Sequence, residues 1–376
     1  MVLIVNKVTA ALGRVFGLCL RVWQKITGRS NQVDFNARIQ TYRDTWSRAA
    51  EELGAEFDEL AVGLWQITHR GNRVRFSNYR IELDNPVTLN LAGRKALVYR
   101  LLAEHGIAIP DHRAFSLDEI GVALDFFDRV GAACVVKPEN GFGGRGVTTH
   151  ITRRWHVRLA AIIASLYAQK FLIETHIFGE SCRILVMNGK CIHAVRRRGI
   201  WITGNGRDSI RKLIAEETEH TPGARNFAFE KCRDITLCLR HQDLGLDDIL
   251  PSEKKILVRS SSVFSTTNFE NRTTYTEDIT PIISQTLKEV AEECAQIVGS
   301  SYLGVDIITP DISLSLAESG GVINEVNTTP ALHHHLGFDS PASRGITREV
   351  VLRLLKDENV SSRPSHPNQS CNQRTA

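Results

Sequence analysis

An α/β (α+β) chain of two or three lobes is what the sequence predicts. Short β-branched runs alternate with helical periods along most of its length. Several strand-like runs meet at tight turns such as Asn188-Gly189, the signal of antiparallel hairpins. A chain of 376 residues with 42% hydrophobic content can bury a large core and exceeds what one lobe organises.

The elements follow in order. Residues 1–30 set Lys7, Arg14, Arg21, Lys25 and Arg29 in an apolar background without one acid. Lys7, Arg14 and Arg21 line one helical face, opposite Leu12, Phe16, Cys19, Trp23 and Ile26. No uninterrupted apolar stretch reaches the roughly 18–20 residues of a span. A helix lying on an anionic membrane surface is the functional reading; a helix packed on the protein's own body or on a partner is the alternative. Residues 31–90 read as a small α+β lobe, with a helix over 42–53 and strands over 63–69 and 74–77. Helices are expected over 95–104, 117–130 and 157–168, and strands over 134–138 and 171–174. A hairpin over 181–187 and 190–195 ends in Arg196, Arg197 and Arg198. Gly204-Asn205-Gly206 turns into a short helix capped by Asp208 or Ser209. Residues 217–250 read as surface helices, 256–264 as a strand and 282–298 as an amphipathic helix. Strands are expected over 303–308 and 321–327, and disorder from 357. The lobes are placed at 31–90, 91–173 and 174–356.

Chemistry concentrates first at residues 134–148. The apolar run Cys134-Val135-Val136-Lys137-Pro138 leads into a loop holding Gly141, Gly143, Gly144 and Gly146 with Arg145 among them. Glycine-rich backbone can close its N–H groups on an anion, and the lysine and arginine supply charge for a polyphosphate. The same glycines fit G-x-G-x-x-G, but a dinucleotide site needs a helix next and an acid about twenty residues on. Here Val147-Thr148-Thr149-His150-Ile151 reads as a strand, and no acid occurs between Glu139 and Glu174. A basic hairpin flap over phosphates is the better reading, with a purely structural glycine hairpin as the alternative.

The second concentration is Asp306 with Glu325 and Asn327. On a strand Glu325 and Asn327 share a face, and antiparallel pairing brings Asp306 beside them. Grouped carboxylates repel unless a cation or proton neutralises them, and oxygen ligands of this kind suit Mg²⁺. An ordinary acidic strand end is the alternative. His333, His334 and His335 cannot all point one way, so a zinc triad is not expected, and one of them is read as facing substrate. A net charge of +4 without an aromatic RNA-binding signature argues against a nucleic-acid partner. Eight cysteines without a C-x-x-C pair, and no secretory signal, read as reduced thiols in a cytoplasmic protein.

In this order the motifs resemble the ATP-grasp superfamily, over about residues 90–336, and are similar to the ATP-grasp module of cyanophycin synthetases. The likeness rests on Val135-Val136-Lys137-Pro138, Gly143-Gly144-Arg145-Gly146-Val147, Gly204-Asn205-Gly206 before Ser209-Ile210-Arg211, and Gly304-Val305-Asp306 through Asn327. It implies an ATP-grasp fold holding ATP between two α+β lobes, and ATP with Mg²⁺ as cofactors. By resemblance, Lys95 and Lys137 hold the phosphates under Gly143, Gly144, Gly146 and Val147. Glu174 becomes the hinge acid, with Thr175, His176 and Ile177 beside it, and Glu180 or Ser181 the ribose contact. Asp306, Glu325 and Asn327 become the Mg²⁺ ligands, and Arg145, Arg183, Arg197 and Arg259 the basic groups at phosphate and substrate. Ser265, Thr266, Asn327 and His333 are the substrate contacts. The implied activity is a carboxylate–amine ligase working through an acyl phosphate on an amino acid or peptide. An ATP-grasp kinase and a non-catalytic ATP sensor or scaffold are the alternatives, and a homo-oligomer is left open. No Mur-ligase-like second domain is recognised, so synthesis of the cyanophycin polymer is not expected.

Overall fold

The computed structural model describes residues 31–141, 146–198, 200–220, 235, 239, 242–259, 275–336 and 345–356. The basic segment 1–30, the loop residues Gly143, Gly144 and Arg145, the segment holding Ser265 and Thr266, and the tail from 357 lie outside the described residues. The chain forms two compact units.

The smaller unit begins with α1 (Asn31–Leu53), followed by the meander β1 (Glu56–Ala61), β2 (Leu64–His69), β3 (Asn72–Ser77) and β4 (Arg80–Ile81), all antiparallel. Its core is aromatic: Trp46 is fully buried, stacks on Phe76 with centroids 4.2 Å apart, and donates its indole N–H to the Asn78 carbonyl at 2.9 Å. Strand β1 carries little of the alternating apolar pattern and is mostly exposed, which is why the sequence suggests only its two neighbours. The late helix Ile346–Lys356 belongs to this unit and not to the 174–356 lobe. The Asn72 amide donates to the Leu355 carbonyl at 3.1 Å.

The larger unit opens with α2 (Pro86–Ala92), capped by the Asn85 side chain accepting from the N–H groups of Val87 and Thr88. Then comes α3 (Lys95–Glu104), where the sequence predicts it. A four-stranded antiparallel sheet follows, with β5 (His112–Phe115), β6 (Cys134–Pro138), β7 (Thr148–Ile151) and β8 (Phe171–Thr175) in the order β5-β8-β6-β7. A strand, not a helix, follows the glycine loop, and it pairs back on β6. The dinucleotide alternative is thereby excluded. Helices α4 (Ile120–Val130) and α5 (Arg154–Ala164) cover one face, burying Phe115, Val136, Phe171 and Ile173. By alternation the opposite face carries His112, Val135, Lys137 and Glu174.

The other sheet has five antiparallel strands in the order β13-β10-β9-β14-β15. They are β9 (Glu180–Met187), β10 (Lys190–Arg198), β13 (Tyr275–Asp278), β14 (Tyr302–Thr309) and β15 (Val322–Thr328). A separate ribbon pairs β11 (Ile200–Thr203) with β12 (Lys255–Arg259), next to α6 (Ile210–His220). One face of the large sheet presents Ile184, Val186, Ala194, Val305, Ile307 and Ile323 to a core shared with α3 and α7 (Gln285–Val298). The reverse face is polar.

Gly304 lies on that polar face. A Cβ there would sit 2.8 Å from Pro330 Cβ, so glycine lets the segment after β15 cross the sheet. Gly304→Ala is expected to destabilise the fold by about 1–3 kcal/mol through overpacking. Chemical denaturation measures this, and amide shifts concentrated at residues 329–335 would identify the cause.

Candidate active site

The polar face is built by register. Across the five strands, Asp278, Val195, Arg183, Asp306 and Glu325 stand directly opposite one another in one row. The neighbouring row holds His193, Leu185, Gly304 and Asn327. Paired residues project to the same side, so sequence positions 142 residues apart share one surface.

At its centre the Arg183 guanidinium grips Asp306 in a bidentate pair, Nε to Oδ1 at 2.6 Å and Nη2 to Oδ2 at 2.7 Å. Arg197 Nη2 reaches Asp306 Oδ2 at 3.0 Å and also donates to Ser181 Oγ at 3.0 Å. Asn327 Nδ2 donates to Asp306 Oδ2 at 3.3 Å. Both arginines and the aspartate are buried. Burial alone would raise the Asp306 pKa, but the two guanidinium groups outweigh it and hold the carboxyl below its ordinary value. Burial lowers that of Arg197 in spite of Asp306, and Arg183 adds to the lowering.

Both expected phosphate lysines meet this surface. Lys95 Nζ lies 3.1 Å from Glu325 Oε1 and donates to the Gly141 carbonyl at 2.7 Å. Lys137 Nζ, buried, lies 2.7 Å from Glu174 Oε1. It also donates to Tyr99 Oη at 2.8 Å and to the Asn324 carbonyl at 3.3 Å. Tyr99 escapes a motif-based reading because an aromatic one turn after Lys95 looks like ordinary core; the i, i+4 spacing is the signal that could have found it.

Other expected residues fall as follows. Gly146, at φ 72°, packs where a Cβ would lie 2.7 Å from the Tyr167 ring, with Val147 next to it before β7. The hinge N–H groups of Thr175 and His176 are bonded to the carbonyls of Asp111 and Ala133, leaving the hinge carbonyls and the half-buried Ile177 to line any pocket. The His176 ring lies 4.0 Å from that of His150, and burial together with His150 pushes its pKa down to about 4. Ser181 shares the arginine face, whereas Glu180 projects oppositely and pairs with Arg196 Nη1 at 2.6 Å. Arg259 stands on the β11–β12 ribbon, opposite Ile200. His333 is half-buried, while His335 is buried with its Nδ1 3.1 Å from that of His193.

Lys95, Lys137, Arg183 and Arg197 thus face Glu174, Asp306 and Glu325, with the Asp278 carboxylate at the far end of the same row. Arg197 Nε is buried without a hydrogen-bond acceptor. An unmet donor among clustered cations fits an anion. Among the described residues no group of three or more His, Cys, Asp or Glu could hold a metal. Asp306, Glu325 and Asn327 share one face of β14 and β15 and are oxygen donors of the type a divalent cation takes, with Asp306 held at present by Arg183, Arg197 and Asn327 Nδ2 and Glu325 by Lys95.

No family model matches the chain. It is 31% identical over 312 residues to the cyanophycin synthetase of Geminocystis herdmanii, covering 81% of this chain and 35% of that protein. It is 26% identical over 321 residues to the glutathione biosynthesis bifunctional protein of Streptococcus mutans, covering 81% of this chain and 40% of that protein. The bifunctional glutathione synthetase from Pasteurella multocida superposes with a TM-score of 0.55 at 19% identity, covering 82% of this chain and 44% of that one, a likeness of fold. The chain spans between a third and a half of the length of each of these proteins.

Asp306→Asn leaves two buried guanidinium groups short of their counter-charge and is expected to destabilise the fold by about 3–5 kcal/mol. Since the native pKa is depressed, the native protein keeps this stabilisation above the ordinary aspartate range. It loses it as pH falls through the depressed value, and the variant lacks that acid-dependent loss. Urea denaturation of both proteins at stepped pH measures the difference.

Proposed function

We propose that the chain is a member of the ATP-grasp superfamily and an ADP-forming carboxylate–amine ligase acting on an amino acid or peptide, a reading supported by its similarity to cyanophycin synthetases and a glutathione biosynthesis protein. One observation carries the reading: Arg183, Asp306 and Glu325 stand in a single cross-strand row with Lys95 and Lys137 converging on it. Such a surface is suited to phosphoryl transfer, which needs in-line positioning and charge neutralisation more than covalent work from protein.

In this mechanism a substrate carboxylate oxygen attacks the γ-phosphorus of ATP, the bond to the β-phosphate oxygen breaks, and ADP leaves. An amine then attacks the acyl carbon, the carbon–oxygen bond to phosphate breaks, and an amide and inorganic phosphate form, with the amine proton released. Mg²⁺, when bound, adds positive charge at the phosphates and would be held by Asp306, Glu325 and Asn327. Lys95 and Lys137 neutralise phosphate oxygens. Arg183 and Arg197 hold the anionic substrate and the transferring group, with Arg145 and Arg259 assigned to the same task by motif. Gly143, Gly144, Gly146 and Val147, in the segment joining β6 and β7, are assigned by motif to covering the phosphates and keeping the acyl phosphate from water. The Glu174 hinge, with Thr175, His176 and Ile177, takes the adenine end, and Ser181 is the better-placed ribose contact. Ser265, Thr266, Asn327 and His333 are assigned to the substrate.

Several features support this reading. Sequence similarity extends over most of this chain to cyanophycin synthetases and to a glutathione biosynthesis protein. Lys95, Lys137, Arg183 and Arg197 offer an anionic substrate its counter-charge. Among the described residues no helix is long and apolar enough to cross a membrane. A surface role for residues 1–30 stays a separate proposal, tested by sedimentation with anionic vesicles.

Purified protein with Mg-ATP and pooled amino acids and dipeptides is expected to release ADP. It should also form a product lighter by one water than the summed substrates, read by mass spectrometry. Lys137→Ala and Glu325→Ala are each expected to abolish that product while circular dichroism stays native. Near-native turnover in either variant would sink the assignment, and a stable phosphorylated product would move it to a kinase.

A further inference from the structure

We propose that Tyr99 is a positioning residue for Lys137, acting with the bulged Asn324 carbonyl to free one lysine N–H for a phosphate oxygen. The inference rests on the nucleotide-binding reading above.

The geometry starts with an irregularity in the edge strand. On β14 and β15, Asp306 opposes Glu325 and Ile307 opposes Ile323, so Asn324 is an extra residue without a partner. Such a bulge turns a backbone group out of the ladder, and bulges concentrate beside active sites. Here the released Asn324 carbonyl accepts from Tyr99 Oη at 2.5 Å and from Lys137 Nζ at 3.3 Å. Because its hydroxyl hydrogen is committed to that carbonyl, Tyr99 turns an oxygen lone pair to Lys137 Nζ at 2.8 Å. Burial, with Glu174 and Glu325 nearby, holds the phenol well above its ordinary pKa, so it stays a donor.

Two of the Lys137 N–H groups donate to Tyr99 Oη and the Asn324 carbonyl, and the Glu174 carboxylate, paired with the ammonium by charge at 2.7 Å, occupies its remaining side. A phosphate oxygen must therefore replace one acceptor. The longest contact, to Asn324, is the one to yield. Tyr99 keeps that carbonyl satisfied when the lysine leaves it, so capture of the ligand strands no buried acceptor. Without the hydroxyl, the same exchange would leave a buried carbonyl unpaired, a penalty worth roughly tenfold in affinity. Packing does not need the hydroxyl: the Tyr99 ring contacts His112, centroids 4.9 Å apart, and phenylalanine would keep that contact.

The test is a double-mutant cycle on binding of the non-hydrolysable analogue AMP-PNP with Mg²⁺, measured by calorimetry, with thermal unfolding as control. Tyr99→Phe is expected to weaken AMP-PNP about tenfold in the native background, and by less than about twofold in a Lys137→Met background. If Lys137→Met does not fold, Lys137→Met with Glu174→Gln removes the buried pair together and serves as the second background. An equal loss in both backgrounds, or none in either, overturns the proposal and leaves the nucleotide reading standing. Failure of the native protein to bind AMP-PNP at all sinks both.

Discussion

The bidentate pair between Arg183 and Asp306 is the contact on which the polar face of the large sheet depends. Both groups are buried, so each would be intolerable alone, and the desolvation of one is offset only by the other. The pair is also central in position, on β9 and β14, with β10 and β15 outside them. Arg197 and Asn327 complete the aspartate's hydrogen bonds from those flanking strands. Strand register and charge satisfaction therefore enforce each other: a slip of any strand by one residue would bury an unpaired charge.

Around that pair, each of Lys95, Lys137, Arg183 and Arg197 already has an internal partner. Lys95 has Glu325, Lys137 has Glu174, and both arginines share Asp306. A buried cationic cluster of this size would repel itself without such partners. Two of these partners, Asp306 and Glu325, are also the carboxylates proposed to hold a divalent cation, so ligand and metal arriving together could exchange those counter-ions.

Much of the site was legible in the sequence because strand geometry is simple. The alternation of Glu325 and Asn327, the likelihood of a shared face with Asp306, and the β6–β7 hairpin all follow from a period of two. Helix α3 was legible from its end signals, and Lys95 at its first position came with the motif. What was not legible depends on contacts between distant residues. Nothing local tells Arg183 that it will meet Asp306, 123 residues on, or shows that Glu180 and Ser181 divide between opposite faces. Strands β1, β4 and β13 are short or exposed, and helix Ile346–Lys356 joins a unit formed near the other end of the sequence.

The bulge at Asn324 has a consequence for how this chain can change over evolutionary time. Upstream of it β15 presents Ile323 to the core, and downstream it presents Val326, which only the extra residue makes compatible with Glu325 and Asn327 on the polar side. Drawing Asn324 into the ladder as an ordinary strand residue would invert one half of β15, sending acids into the core or aliphatic residues into the site, whereas loss of Asn324 itself would leave a regular strand with both halves on their present faces. Substitutions along β15 can thus be absorbed one at a time, but a one-residue change of length anywhere other than at Asn324 inverts one half of it. Divergence in substrate choice is left to the loops around the sheet, whose lengths carry no such constraint.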